Sequence, residues 1–351
     1  MDKRHKVQKA FLAGFMLILL LNGCGKASHE AEEPKKAVKK SKIDLVRRTK
    51  LSKEKESGGT IIGGEVKENT VLQLVKSPYI VNRDLTILPD IKLTIEPGVV
   101  VRVAPYTSIV VRGNFQAIGA KDKKIKFVAS NEEELWDGLR FMDESFDYNS
   151  DELIEGNGCI VENCQFEKAK TAIICDKSSP VIRNNVFKNN EEAVKCRNHS
   201  MGALIANNII EDNNIGITCE EYSNPEIIHN TIIGAEGRGV SCTIYSSPNV
   251  TYNIIFGKGE SWWKGIICQD NSAPKITHNN IYSNGGYNFY YVKMKPGEGT
   301  PEIDAQNNWW GLSDKEEIAK RINDKGDKGD LGEVKFEPFL NSKVGNAGHE
   351  A

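Results

Sequence analysis

Asp176, Arg197 and Glu220 each stand directly after a cysteine, at steps of 21 and 23 residues, with Lys195 two places before Arg197. If those steps are turns of a stacked structure, the acid, base and acid lie on neighbouring strands. The two carboxylates are then about 9–10 Å apart. That is the upper edge of the ~6.5–9.5 Å separation used in inverting glycoside hydrolysis. The same arrangement also reads as a ladder of surface ion pairs, which needs no function and adds little stability. A second candidate is aromatic. Trp262 and Trp263 sit in "GKGESWWKG", and Tyr287 and Tyr290 follow in "GYNFYYV". Tryptophans on a loop beside tyrosines form a platform for sugar rings or a partner protein, or else pack a longer loop. "NDKGDKGD" (323–330) has the spaced aspartates of a calcium loop but not the ligand order of an EF-hand, so it reads first as a solvated turn. No metal site or cofactor is expected, with calcium kept as the alternative. No phosphate-binding glycine loop, nucleophile elbow or HExxH zinc motif occurs. A net charge of −2 and a pI near 6.4 give no reason to expect nucleic acid.

What positions these residues is a repeat. Asn185, Asn208, Asn230, Asn253 and Asn279 recur at steps of 23, 22, 23 and 26, each with an apolar residue two places on, and Asn307 with Trp309 continues the series. Pairs such as 184/185 and 207/208 leave the register uncertain by one residue. A second column is Cys175, Cys196, Cys219, Cys242 and Cys268. Leucine-rich repeats have a similar period, but their leucine frame is absent; helical repeats need about 33 residues and a 3.6 period. Here the segments are short, β-branched and period-two. Ile173, Val194, Ile217, Val240 and Ile266 point in; Ile174, Lys195, Thr218, Ser241 and Ile267 point mostly out; the cysteine points in again. Three such strands per turn make a parallel β-helix. Asparagine suits its corners because it tolerates left-handed backbone, and a stacked amide bonds the amide above. The cysteines read as stacked free thiols filling the interior. Disulfides between coils are the alternative, with a torsion that parallel side chains make awkward. No histidine joins the column, so a soft-metal row is not expected.

The repeats resemble those of the right-handed parallel β-helices of the pectate-lyase-like superfold, and the flanks resemble bacterial secreted proteins of that fold. The resemblance rests on "PYIVNRDLTILPDIKLTIEPGVVVRV" (78–103), "IVVRGNFQAIGAKDKKIKFVAS" (109–130), "WDGLRF" (136–141), "NNWWG" (307–311) and "VKFEPFL" (334–340). It implies an all-β fold, and leaves activity open because the superfold hosts enzymes and binders alike. The Asn-Thr-Asp, Gly-His-Gly and paired-aspartate motifs of its pectate lyases and polygalacturonases are absent. The function expected is therefore non-catalytic binding of glycan or an envelope protein. The alternative is a polysaccharide lyase or glycoside hydrolase using Asp176, Arg197, Glu220 and Lys195. A metal-handling role like that of β-helix accessory proteins of copper enzymes is a weaker third reading.

The N-terminus bears on location. "MDKRHKVQK" is basic, and the 12-residue apolar run "AFLAGFMLILLL" is too short to span a membrane as a mature helix. "LNGC" then resembles the lipobox of bacterial lipoproteins, with Asn22 an unusual choice, and implies acylation of Cys24. Residues 1–23 are thus expected to be a lipoprotein signal peptide, and the protein to be held at a bacterial envelope membrane through lipid on Cys24. Residues 25–59 carry eleven Lys or Arg against six Asp or Glu, so 24–59 reads as a charged tether. Residues 60–340 are expected to form about ten or eleven coils of ~23 residues. Segment 58–77 caps the first coil in this reading, and Trp309 and Trp310 cover the last. Ser313 and Glu316 open a short capping helix, and 341–351 is a disordered tail.

Overall fold

The computed structural model describes residues 58–349, apart from 144, 146, 148–157, 235–236, 260–261, 293–299 and 330. Residues 1–23, Cys24 and the tether up to residue 57 lie outside the described residues. What is described is a right-handed parallel β-helix of about nine coils. That is one or two fewer than the repeat length suggests, because the last turns run irregularly into the cap. Each coil has three faces. Nine short strands stack on the first, among them Leu204–Ala206, Glu226–Ile228, Asn249–Thr251 and Lys275–Thr277. The second carries Val186–Lys188, Ile209–Glu211, Thr231–Gly234, Ile254–Gly257 and Asn280–Tyr282. The third carries Thr171–Asp176, Glu192–Arg197, Ile215–Cys219, Arg238–Cys242, Lys264–Gln269 and Tyr287–Val292. The stacked strands pair in parallel, with one register shift between Ile62 and Gly64 in the first pair, and Cys175, Cys196, Cys219, Cys242, Cys268 and Tyr291 form one unbroken column.

The inward columns build a core that runs along the axis. On the second face, Phe127, Phe166 and Phe187 stack with centroids 4.7 and 5.1 Å apart, and Ile210, Ile232, Ile255 and Ile281 continue the line. All are essentially inaccessible, and fully burying each isoleucine is worth about 1.5–3 kcal/mol. All seven described cysteines are free and buried. Thr218 and Ser241 do point outward, but their neighbours leave them only 6% and 3% exposed.

The corners are held by polar ladders. Each ladder amide donates to the next: Asn185 to Asn208 at 3.1 Å, Asn208 to Asn230 at 2.9 Å, and Asn230 to Asn253 and Asn253 to Asn279 at 3.0 Å. The series ends on Asn308, not Asn307. The left-handed position is also one residue earlier than the ladder: Asn184, Asn207, His229, Tyr252, His278 and Asn307 have φ of 53–59°. One residue makes the turn and the next bonds inward, which resolves the one-residue ambiguity of the Asn pairs. Asn190 and Asn213 repeat the device at the second corner. Buried Ser200, Ser223, Ser246 and Ser272 do so at the third, where Ser223, Ser246 and Ser272 each accept the backbone N–H of the serine one coil earlier.

Four terminal expectations change. Segment 58–77 is not a lid but a coil in its own right, because Thr60–Val66 pairs with Tyr79–Ile87 and Thr70–Leu72 with Lys92–Ile95. At the other end Trp310 is buried over the last coil while Trp309 lies on the outer surface against Tyr282. The helix Lys315–Ala319 is capped by Asp314, whose carboxylate accepts from Glu317 N–H, so the capping residues are one place later than Ser313 and Glu316. Residues 341–349 are not a free tail: Val344 and Asn280 exchange two hydrogen bonds, and Gly348 N–H donates to Tyr252.

Asn230 accepts from Asn208 and donates to Ile205 O, Ile228 O and Asn253 Oδ1. Asn230→Ala should therefore destabilise the protein by about 3 kcal/mol or more in urea unfolding, since each stranded buried group costs ~1–3 kcal/mol. The exposed Asn249→Ala should change stability by less than ~0.5 kcal/mol.

Candidate functional site

The outer surface of the third face collects the sequence candidates in three parallel rows. Strand registry places Asp176 beside Arg197, followed along the same position by Glu220, Thr243 and Gln269. The middle row is Ile174, Lys195, Thr218, Ser241, Ile267 and Tyr290, and the third is Thr171, Glu192, Ile215, Arg238, Lys264 and Tyr287.

At the N-terminal part of this face the charges satisfy one another. Arg197 donates to one oxygen of Asp176 through Nε at 2.9 Å and Nη2 at 2.5 Å, and Asn198 donates to the other oxygen at 2.7 Å. Partial burial raises the Asp176 carboxyl, but the bonds from Asn198 and Arg197 outweigh it and hold the group below the usual carboxylate range. Lys195 Nζ lies 3.3 Å from Glu192 and 3.8 Å from Glu220. Burial pushes the Glu220 carboxyl up, Lys195 opposes this, and nearby Glu192 adds to it. Sequence reasoning missed Glu192. Its carboxylate is 7% exposed, accepts from Thr171 at 3.0 Å through Oε2, and leaves Oε1 without a hydrogen-bond partner. Its position on the coil repeat was readable; its burial between Thr171 and Lys195 was not.

The C-terminal part differs. Trp262 is 65% exposed, whereas Trp263 is 1% exposed and belongs to the core. The Trp263 indole lies in a slot made by two stacked glycines, so the pair is no double platform. A Cβ on Gly234 would come within 1.9 Å of the ring, and one on Gly257 within 2.1 Å. Trp263 Nε1 donates to Asn284 at 2.8 Å. Tyr287 and Tyr290 are half-buried with ring centroids 5.0 Å apart. Lys264 Nζ lies 5.7 Å from the Tyr290 centroid and donates to Trp262 O at 2.9 Å, tying the loop to the face. Arg238 and Lys264 stack in register, and neither meets a carboxylate within salt-bridge distance among the described residues. The result is a patch with one exposed indole, two tyrosines and two cations without acidic partners among the described residues.

Among the described residues no group of three or more His, Cys, Asp or Glu is placed to hold a metal ion. In the 323–330 turn, Asp324 spends its oxygens on the N–H groups of Gly326 and Val334.

Residues 152–308 match the family described as "Right handed beta helix region". A stretch of 63 residues, 18% of the chain, is 36% identical to part of Protein bark beetle of Drosophila melanogaster. It covers 2% of that protein, so the likeness extends to a short repeat segment alone. No solved structure matches significantly. These likenesses agree with the coil geometry and carry no activity with them.

Behind the face, the thiol column is fully buried. A hydrogen bond with Cys196 and burial push the Cys175 thiol well up, and burial does the same to Cys219 and Cys268, whereas hydrogen bonds from Cys219 and Cys268 pull the Cys242 thiol down to about 5. Because all seven described cysteines are buried, their native alkylation should be almost undetectable while denatured protein labels fully, as read by mass spectrometry. For Cys175, Cys219 and Cys268 the raised folded pKa makes their contribution to stability complete below the unfolded thiol value of ~8.5 and progressively lost above it, and the lowered Cys242 opposes this. The urea midpoint should fall between pH 7.5 and 10, and the fall should shrink in Cys219→Val and Cys268→Val.

Proposed function

We propose that this protein is a lipid-anchored β-helix of a bacterial cell envelope that binds glycan on the third face without turning it over. The observation that supports this reading best is the patch of Trp262, Tyr287, Tyr290, Arg238 and Lys264. An exposed indole offers its face to a sugar ring, and two unneutralised cations favour sugars that carry carboxylate or sulfate. The strand spacing sets the two cations about 4.8 Å apart along the coil axis. The neighbouring Asp176–Arg197 pair is already satisfied, which suits a rim better than a reaction centre. The anchor rests on "LNGC" and the basic and apolar segments before it.

A second reading, a lyase or hydrolase, is favoured by one observation: Glu192 and Glu220 flank Lys195, with one Glu192 oxygen unpartnered and the Glu220 carboxyl held up by burial. A proton donor and a carboxylate base are what such chemistry needs.

Titration calorimetry with uronic-acid and sulfated oligosaccharides separates the two. Binding should appear without product, and Trp262→Ala or Lys264→Ala should weaken it at least tenfold, about 1.4 kcal/mol or more. Product formation that disappears in Glu220→Gln would establish the second reading instead. For the anchor, mass spectrometry of the mature protein should show an N-terminus at Cys24 carrying acyl chains. An N-terminus at Met1 would contradict it.

A further inference from the structure

Residues 343–349, "KVGNAGH", run across the outer side of the second face, back along the coils that precede them. Lys343 Nζ sits 5.0 Å from the Tyr282 ring centroid and 5.3 Å from that of Trp309. The Asn280 side chain takes both main-chain groups of Val344, accepting its N–H at 2.9 Å and donating to its carbonyl at 3.1 Å. His229 Nδ1 lies 2.9 Å from Asn346 O. Gly348 N–H donates to Tyr252 O at 2.7 Å, and His349 N–H to Thr231 Oγ1 at 2.9 Å. The His349 ring reaches Asn207 O at 2.5 Å.

Two features stand out. First, the occupant is held mainly through its backbone, by fixed side chains and carbonyls of successive coils. The wall beside it is a stacked ladder of His229, Tyr252 and His278, with centroids 5.2 Å apart. Only Lys343 and His349 contribute side-chain contacts of this kind. Gly348 adds a size limit, because a Cβ there would lie 2.6 Å from Ile254 Cδ1 and 2.8 Å from Thr231 Oγ1. Second, the occupant is lightly held. Of residues 341–349 only Gly348 is buried; Val344, Ala347 and His349 are half-buried and the rest are exposed. A segment that buries so little apolar surface opens at low free-energy cost.

We propose that this strip, from Tyr282 and Asn280 through Ile254 and Tyr252 to Thr231 and Asn207, is a docking seat for a short peptide of another protein that turns at its middle, as residues 344–347 do where Ala347 N–H donates to Val344 O. The chain's own residues 343–349 occupy it as a displaceable cover. The partner's chemistry follows from the seat. It carries a cation for the Tyr282–Trp309 pair, a backbone N–H and C=O at the next residue for Asn280, and glycine five places after the cation. A side-chain hydrogen-bond donor follows that glycine. The seat lies on a different face from the glycan patch and does not depend on that reading.

The test uses the full chain. Gly348→Val cannot be seated without displacing Ile254 or Thr231, so it should free the strip while leaving the coils intact. A fluorescein-labelled peptide Lys-Val-Gly-Asn-Ala-Gly-His, followed by anisotropy, should bind the Gly348→Val protein at least tenfold more tightly than the unsubstituted protein. In the unsubstituted protein the tethered copy competes at high effective concentration. Adding Asn280→Ala to Gly348→Val should weaken binding at least tenfold. Equal affinity for both proteins, or no binding to a Gly348→Val protein with unchanged circular dichroism, overturns the proposal. Hydrogen exchange on the unsubstituted chain is a check that needs no variant. The amides of Val344, Gly348 and His349 should exchange at least a hundredfold faster than that of Ile254, which bonds Asn230 O within the coils. Equal protection would show the segment to be a fixed part of the fold and sink the idea.

Discussion

Every coil must close on itself and arrive one strand spacing further along the axis, still in register. Almost everything else in the structure follows from that requirement. The corners that permit it bury backbone groups that no strand can pair, so each coil depends on the next to satisfy them. Asn185 supplies the acceptor for Cys164 N–H, Asn208 does the same for Asn185, and the sequence continues to Asn308, which ends the ladder by donating to Ile276, Ala305 and Gln306. Stability is thereby a chain of nearest-neighbour terms. Variation is tolerated where it leaves this ladder untouched, on outward rows and in loops between strands. Trp262 lies on such a loop, and the exposed charges lie on such rows.

Fold and register were readable because the constraint repeats the same residue types at the same place. The cysteine and asparagine columns state the period openly. What the repeat does not reveal is which contacts are made across unequal distances. Trp263 looks like a loop residue in its own segment, and its burial depends on Gly257 of its own coil and Gly234 of the coil before, which share one repeat position. Those paired glycines were the available signal. Glu192 looks like any outward charge until Thr171 and Lys195 close over it. Segment 343–349 is polar and glycine-rich, a composition that predicts disorder, yet Asn280 far earlier in the chain fixes its backbone. In each case what decides is a side-chain contact that the repeat of residue types does not state.

The third face carries chemistry of two kinds on one flat scaffold. Toward the N-terminal coils, opposite charges in register cancel, as for Asp176 and Arg197. Toward the C-terminal coils, Arg238 and Lys264 are followed by tyrosines in place of acids. A ligand with regularly spaced anionic groups can use both the strand spacing and the aromatic surface without any moving part. That rigidity keeps the ordering cost of binding low.

The central claim is that the ligand lies on the C-terminal part of this face. Hydrogen–deuterium exchange by mass spectrometry, with and without a saturating uronic-acid oligosaccharide, tests it most directly. The account predicts slower exchange confined to the peptides covering 258–269 and 286–292, with the corner at 220–224 and the segment 341–349 unchanged. Protection centred on 171–197, or on no part of the third face, would contradict it.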